Sequence, residues 1–285
     1  VSFARRIPYF GSKAFCAGYP VGGETLSVTS GVVSRVEVTE YTNAETDLLG
    51  VQIDAAINDG NSGGPAFNSR GECVGVAFQS MSSSEADGVG YVIPVPVVEH
   101  FLTDVFRHGT YKGFPTLGIS IQLLENPVLR KAVGMANGQK GILVKSVAPT
   151  ACVKNILYPG DVVLEIDGKR IGNDGTFMFR QHERLACSWI VSSKFFGDSL
   201  AIKVLRNGVE LELTAVLTPQ AQLIPQHLHG GQGAGGKSDP KYLVVGGAVF
   251  CEVSVPFLES AFGTYWEFDA PNDIVCCVPA YLGAI

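Results

Sequence analysis

Residues 57–68 read INDGNSGGPAFN. Gly60 precedes Ser62 and Gly63-Gly64 follow it. Glycine on both sides frees the backbone for a turn that bulkier residues resist. Such a turn can aim the amides of Gly60 and Ser62 at one point, which is the geometry of an oxyanion hole. The alternative is an ordinary hairpin turn of small residues. Against it stands the longer string from Gln52 to Ala66, QIDAAINDGNSGGPA, which is too specific for a generic turn. A serine nucleophile needs a base, and the residues before Ser62 must be searched for a histidine.

Around this turn, residues 14–54 alternate apolar and polar between glycine turns. Strands are predicted at 14–19, 26–38, 51–55, 72–79 and 89–93, with Gly22-Gly23 and Gly31 as punctuation. Short strands packed this closely suggest an antiparallel barrel or sandwich. The period then changes. Val97, Val98, Phe101, Leu102, Val105 and Phe106 recur at helical spacing, with Pro96 in the first turn and Gly109 just past the end. One amphipathic helix therefore closes the barrel.

A second unit is predicted from about Phe114 to Pro219. It has strands at 117–122 and 141–147, a short helix after Pro127 and a turn at Ala148-Pro149-Thr150. Residues 160–168, GDVVLEIDG, form a strand closed by an Asp-Gly turn, and Asn207-Gly208 joins two further strands as a hairpin. A helix is expected over Arg180–Ser192. Residues 225–240, PQHLHGGQGAGGKSDP, read as a Gly-rich flexible linker, and a third apolar unit begins at Tyr242.

Composition sets bounds. The chain has 285 residues, enough for two or three domains, and is 46% hydrophobic and 17% charged, which suits packed cores. The net charge of −6 and the absence of any basic run longer than Arg5-Arg6 give no nucleic-acid surface. The 34 glycines fit many turns. Seven cysteines are scattered without paired spacing, which reads as reduced, mostly buried thiols and argues against a secreted protein. The apolar stretch from Tyr242 to Leu258 is broken by Glu252 and glycines, a poor membrane span.

Two motifs in the linker mislead. Residues 231–238, GQGAGGKS, satisfy the GxxxxGK[ST] phosphate-loop pattern. That loop works between a strand and a helix whose first amides hold the phosphates. Here PQHLH precedes it, and Asp239-Pro240 blocks a helix. His227 and His229 have no third ligand near them in sequence, so they are read as solvated and no metal is assigned.

The strings GYPVG (18–22), SVTSGVVS (27–34), QIDAAINDGNSGGPA (52–66) and GVGYVIP (88–94) together resemble the HtrA/Deg family of trypsin-like serine proteases, in its plant and algal form. The resemblance runs over most of the chain from about Ala14. It implies a mostly β protein: the C-terminal half of a trypsin-like double β-barrel, a PDZ domain and the start of a second, degenerate PDZ-like domain. The expected ranges are 1–112, 113–219, a linker at 220–240, and 241–285. By the same resemblance Ser62 is the nucleophile, and the Gly60 and Ser62 amides form the oxyanion hole. Thr116-Leu117-Gly118-Ile119 resembles the carboxylate-binding loop, so Leu117, Gly118 and Ile119 would receive a peptide C-terminus. The peptide would add as a strand beside 119–122, against the helix expected at 180–192. The family's digestive relatives carry Asp before the nucleophile; Asn61 stands there and implies no zymogen switch. The loop after Gln79 would shape the substrate pocket.

All five histidines, His100, His108, His182, His227 and His229, lie after Ser62, whereas this fold orders its triad His, Asp, Ser. Before Ser62 stand Asp47, Asp54 and Asp59, and Asp54 falls in a string where the family has no triad aspartate. His100 and His108 belong to the closing helix and His182 to the PDZ unit, so none is expected to serve as base. The chain is thus expected to be N-terminally truncated relative to a complete enzyme and inactive by itself. The family reading implies an ATP-independent serine endopeptidase of protein quality control, without cofactor or metal. It would act on unfolded or damaged polypeptides, as a homo-oligomer of trimers or their multiples, in plastid, mitochondrion or nucleus, with plastid favoured. The alternative is a catalytically inactive PDZ peptide-binding or scaffolding protein.

Overall fold

Period-two alternation in the first hundred residues closes on itself. In the computed structural model, six strands form a barrel: β1 (Lys13–Gly18), β2 (Ser27–Tyr41), β3 (Thr46–Ile53), β4 (Pro65–Phe67), β5 (Cys73–Ser80) and β6 (Gly90–Pro94), in the order β1-β2-β3-β6-β5-β4. The structure describes residues 2–20, 25–41, 46–58, 60–80, 89–220, 242–251, 253–263, 265–271 and 274. Outside the described residues lie Gly22-Gly23, Asp59, most of the loop after Gln79, the Gly-rich linker with its phosphate-loop pattern, His227, His229 and Cys276-Cys277.

The barrel core is small and aliphatic. Ala14, Cys16, Val33, Val51, Ile53, Ala66, Ala77 and Val92 are buried together. Burial pushes the Cys16 thiol up to about 11, so it stays protonated and behaves as a small hydrophobe. Gly31 does not interrupt its strand as the sequence suggested. β2 runs unbroken through it, and the glycine is there because a Cβ would overlap Asp54 Oδ1 and the Ala55 amide. The three-residue β4 is too short to show a period.

Helix α1 (Val95–His108) follows β6 directly. Gly109 ends it with φ +71°, its amide donating to the Val105 carbonyl at 2.8 Å. The expected apolar face is rotated. Val97, His100 and Asp104 are buried, whereas Phe101 and Leu102 are exposed and Phe106 is 91% exposed. Asp104 tolerates burial because His108 Nδ1 lies 2.9 Å from Oδ1 and the Lys112 amide donates to Oδ2.

The chain divides into two compact units: Val1–Thr103 with Thr176–Ser193, and Asp104–Gly175 with Lys194–Ile285. In the second unit, β7 (Ile119–Leu123), β8 (Ile142–Val147), β9 (Val162–Ile166), β13 (Ser199–Arg206) and β14 (Val209–Val216) form a sheet ordered β14-β13-β9-β8-β7, with β10 (Lys169–Arg170) on β9. Helix α2 (Pro127–Ala132) starts on Asn126, whose side chain caps the Val128 amide at 2.8 Å. Asn207 and Gly208 take φ +52° and +79° and turn β13 into β14, as Asn-Gly requires. Asp161, nearly fully buried, receives two 2.7 Å bonds from Arg206. This bidentate pair fixes the turn before β9.

The helix expected over Arg180–Ser192 is a correction. The segment forms a hairpin, β11 (Thr176–Arg180) and β12 (Glu183–Ala186), then only a short α3 (Ser188–Ser192). His182 has φ +72°, which no helix interior accepts. Arg180 is held within the first unit: its guanidinium donates to the carbonyls of Ile7 (3.1 Å) and Pro8 (3.2 Å) and stacks on Tyr9 at 4.6 Å. His182, assigned from sequence to the PDZ unit, groups with the barrel.

The third apolar unit begins with the hairpin β15 (Tyr242–Val245) and β16 (Ala248–Cys251), followed by α4 (Val255–Phe262) and α5 (Trp266–Asp269). Leu258 and Trp266 are buried.

Candidate active site

Three amides of the turn at 60–64 are bonded, one of them to a barrel strand. The Asn61 amide donates to Asn58 (2.9 Å), the Gly63 amide to Ala77 (2.7 Å) and the Gly64 amide to Asn61 (2.9 Å). Among the described residues, the amides of Gly60 and Ser62 make no backbone hydrogen bond. Two free donors, separated by one residue on an exposed turn, are what a developing oxyanion needs. Ser62 itself is exposed.

Glycines make this turn possible in two ways. Gly60 and Gly63 have φ +97° and +83°, the left-handed region that disfavours side chains. Gly18 and Gly64 are instead required by close approach. A Cβ on Gly64 would overlap the Ala17 carbonyl oxygen, and one on Gly18 would lie 2.5 Å from Asn61 Oδ1. The end of β1 thus presses on the turn and holds Asn61 at 1% exposure. Asp54 Oδ1 accepts from the Val32 amide and splices β2 to the segment after β3.

No histidine among the described residues hydrogen-bonds to Ser62. His100 is buried on α1, His108 is engaged by Asp104, and His182 is in the β11–β12 turn. The geometry leaves an exposed serine between two amides that have no backbone partner, with no histidine bonded to it among the described residues. Among the described residues no group of three or more His, Cys, Asp or Glu could hold a metal ion.

In the second unit, Leu117 and Gly118 precede β7, and Ile119 opens it. Gly118 has φ +65°, and its carbonyl accepts from the Ala148 amide at 2.8 Å. β7 pairs only with β8, leaving its other edge without a strand partner among the described residues. An open edge beside a glycine loop can take an extended chain as an added strand.

Residues 3–76 match the model of the trypsin-like peptidase domain, and residues 115–217 match that of the PDZ domain. Protease Do-like 2, chloroplastic, of Arabidopsis thaliana is 47% identical over 89% of this chain and 40% of its own length. Protease Do-like 4, mitochondrial, of the same plant is 41% identical over 89% of this chain and 47% of its own. Over these segments the chain is similar to HtrA/Deg proteases. Among solved structures, the HtrA-type protease AlgW with tripeptide has a TM-score of 0.58 at 29% identity, over 76% of this chain and 68% of that one. The HtrA/Deg architecture is thus present as a trypsin-like barrel followed by a PDZ domain. The chain spans less than half the length of these two curated relatives.

Sequence reasoning missed one residue near the PDZ loop. The side chain of Gln220 reaches Gly118, with Oε1 2.7 Å from where a Cβ would stand. Nothing in its local sequence marks it.

Proposed function

We propose that this chain carries the nucleophile and oxyanion hole of an HtrA/Deg serine endopeptidase, together with a PDZ domain that binds peptide C-termini. The observation that supports it most is that the Gly60 and Ser62 amides stay free of backbone partners between bonded neighbours, with Ser62 exposed. Ser62 Oγ attacks the scissile carbonyl and passes its proton to a histidine. The carbonyl oxygen becomes an oxyanion and accepts from the Gly60 and Ser62 amides. The same histidine protonates the leaving amine, and water then hydrolyses the acyl-serine. That histidine and its aspartate are assigned to chain outside these 285 residues.

Leu117, Gly118 and Ile119 are assigned to the terminal carboxylate of a peptide laid along β7. Substrates are proposed to be unfolded or damaged polypeptides, cut in a protein quality-control role by a homo-oligomer. The chloroplastic and mitochondrial relatives support an organellar site. The test is hydrolysis of an unfolded protein substrate by the intact protein from its source cells. Ser62→Ala should lower the rate by about a thousandfold or more; an unchanged rate removes Ser62 from the chemistry.

A second reading is favoured by the histidines, which all follow Ser62 and, among the described residues, do not bond to it. In that reading the mature chain is a peptide-binding module without catalysis. The N-terminal peptide of the native protein decides between them: an upstream segment with His and Asp supports the enzyme, and a start near Val1 supports the module.

A further inference from the structure

The carboxylate loop is not bare. The Cys152 thiol donates to the Thr116 carbonyl, with Sγ 3.5 Å from the oxygen. The thiol is half-buried and raised by that burial, so it stays neutral against the loop. Gly118 has no Cβ, and the space a Cβ would fill is bounded by the Gln220 carboxamide, 2.7 Å and 3.1 Å away at Oε1 and Cδ, and by Ala151 Cβ at 2.9 Å.

A carboxamide carries two N–H donors and one acceptor oxygen on a rotatable bond. Beside a loop whose Gly118 amide already donates to Thr116 Oγ1 at 3.3 Å, it can supply a donor to a carboxylate where an apolar side chain cannot. We propose that Gln220 is a specificity-determining residue of the PDZ site, donating a side-chain N–H to the terminal carboxylate of the bound peptide. This rests on the reading of Leu117, Gly118 and Ile119 as the carboxylate loop. Oε1 is the atom nearest the Cβ position of Gly118, and rotation about the Cγ–Cδ bond exchanges it for the NH2 group, which then donates to the carboxylate. Its neutrality matters: a Glu at this position would place a negative charge against another in a partly desolvated site.

The experiment uses the full chain and fluorescent decapeptides ending in an aliphatic residue, each with a free C-terminal carboxylate or a C-terminal amide. Wild type should bind the carboxylate form more tightly. Q220E should weaken the carboxylate form by about tenfold and the amidated form by less than about threefold. Q220A should fall between wild type and Q220E for the carboxylate form, through loss of one hydrogen bond. If Q220E binds the carboxylate peptides as wild type does, or loses both forms equally, Gln220 does not contact the carboxylate, although the PDZ reading stands. If wild type binds neither form, both the PDZ reading and this inference fall.

Discussion

The two loops proposed to receive anionic oxygen use the same backbone device and finish it differently. At Gly60–Gly64, left-handed glycines flank an exposed serine, and the Gly60 and Ser62 amides stay free of backbone partners among the described residues. At Thr116–Ile119, Gly118 is also left-handed, but a neighbouring side chain, Gln220, sits over it. An oxyanion exists only in transit, and open donors stabilise it without reorganisation. A peptide carboxylate is a stable group to be selected, and selection needs a side chain that can discriminate. Glycine thus supplies conformation in both loops, and the surrounding side chains set the use.

The widest expected difference lies within the first loop. Gly64→Ala forces a methyl into the Ala17 carbonyl, and unfolding by denaturant should show a loss of about 2 to 3 kcal/mol. A loss below half that size would mean the end of β1 does not press on the turn. Gly118→Ala combines a left-handed φ with a methyl 2.9 Å from Ala151 Cβ. It should cost about 1 to 2 kcal/mol and lower affinity for C-terminal peptides, both readable from melting and peptide titration. Affinity unchanged beside a clear stability loss would separate Gly118 from ligand binding. Gly63→Ala has open space around it and only its φ of +83° to resist, so about 1 kcal/mol is expected in the same denaturant series.

A smaller effect tests the barrel behind the first loop. Cys16 has its thiol raised to about 11 from an ordinary 9.0 by burial. The folded state therefore favours the protonated form. Its contribution to stability is complete below pH 9 and is lost as pH rises from 9 toward 11. Cys16→Ser should make the alkaline slope of melting temperature against pH shallower, the remainder coming from Cys152, Tyr91 and Tyr111, also raised by burial; an identical slope in the variant would remove Cys16 from it.

What the sequence reveals follows from how local each feature is. The Gly60–Gly64 turn and the Asn207-Gly208 hairpin rest on residue types whose backbone preference acts within a few positions, so both are legible. The segment 180–192 is not. Its apolar residues Leu185, Trp189, Ile190 and Val191 suit a helix, but Arg180 is bound by carbonyls far away in the chain, at Ile7 and Pro8. Distant partners of that kind leave no periodic trace. The buried face of α1 escapes the pattern for a related reason. Spacing marks Phe101, Leu102 and Phe106, while Asp104 is buried because His108 and the Lys112 amide satisfy it. Gln220 is invisible in the sequence because only the folded path of residues 218–220 carries it to Gly118.

The central claim is that Ser62 is an activated nucleophile in the intact protein. The most direct measurement is labelling of that protein, taken from its source cells, with a fluorophosphonate, followed by mass mapping of the adduct. The account predicts one adduct, on Ser62, absent from denatured protein and from Ser62→Ala. A folded intact protein carrying an upstream His and Asp, yet leaving Ser62 unlabelled, would contradict it.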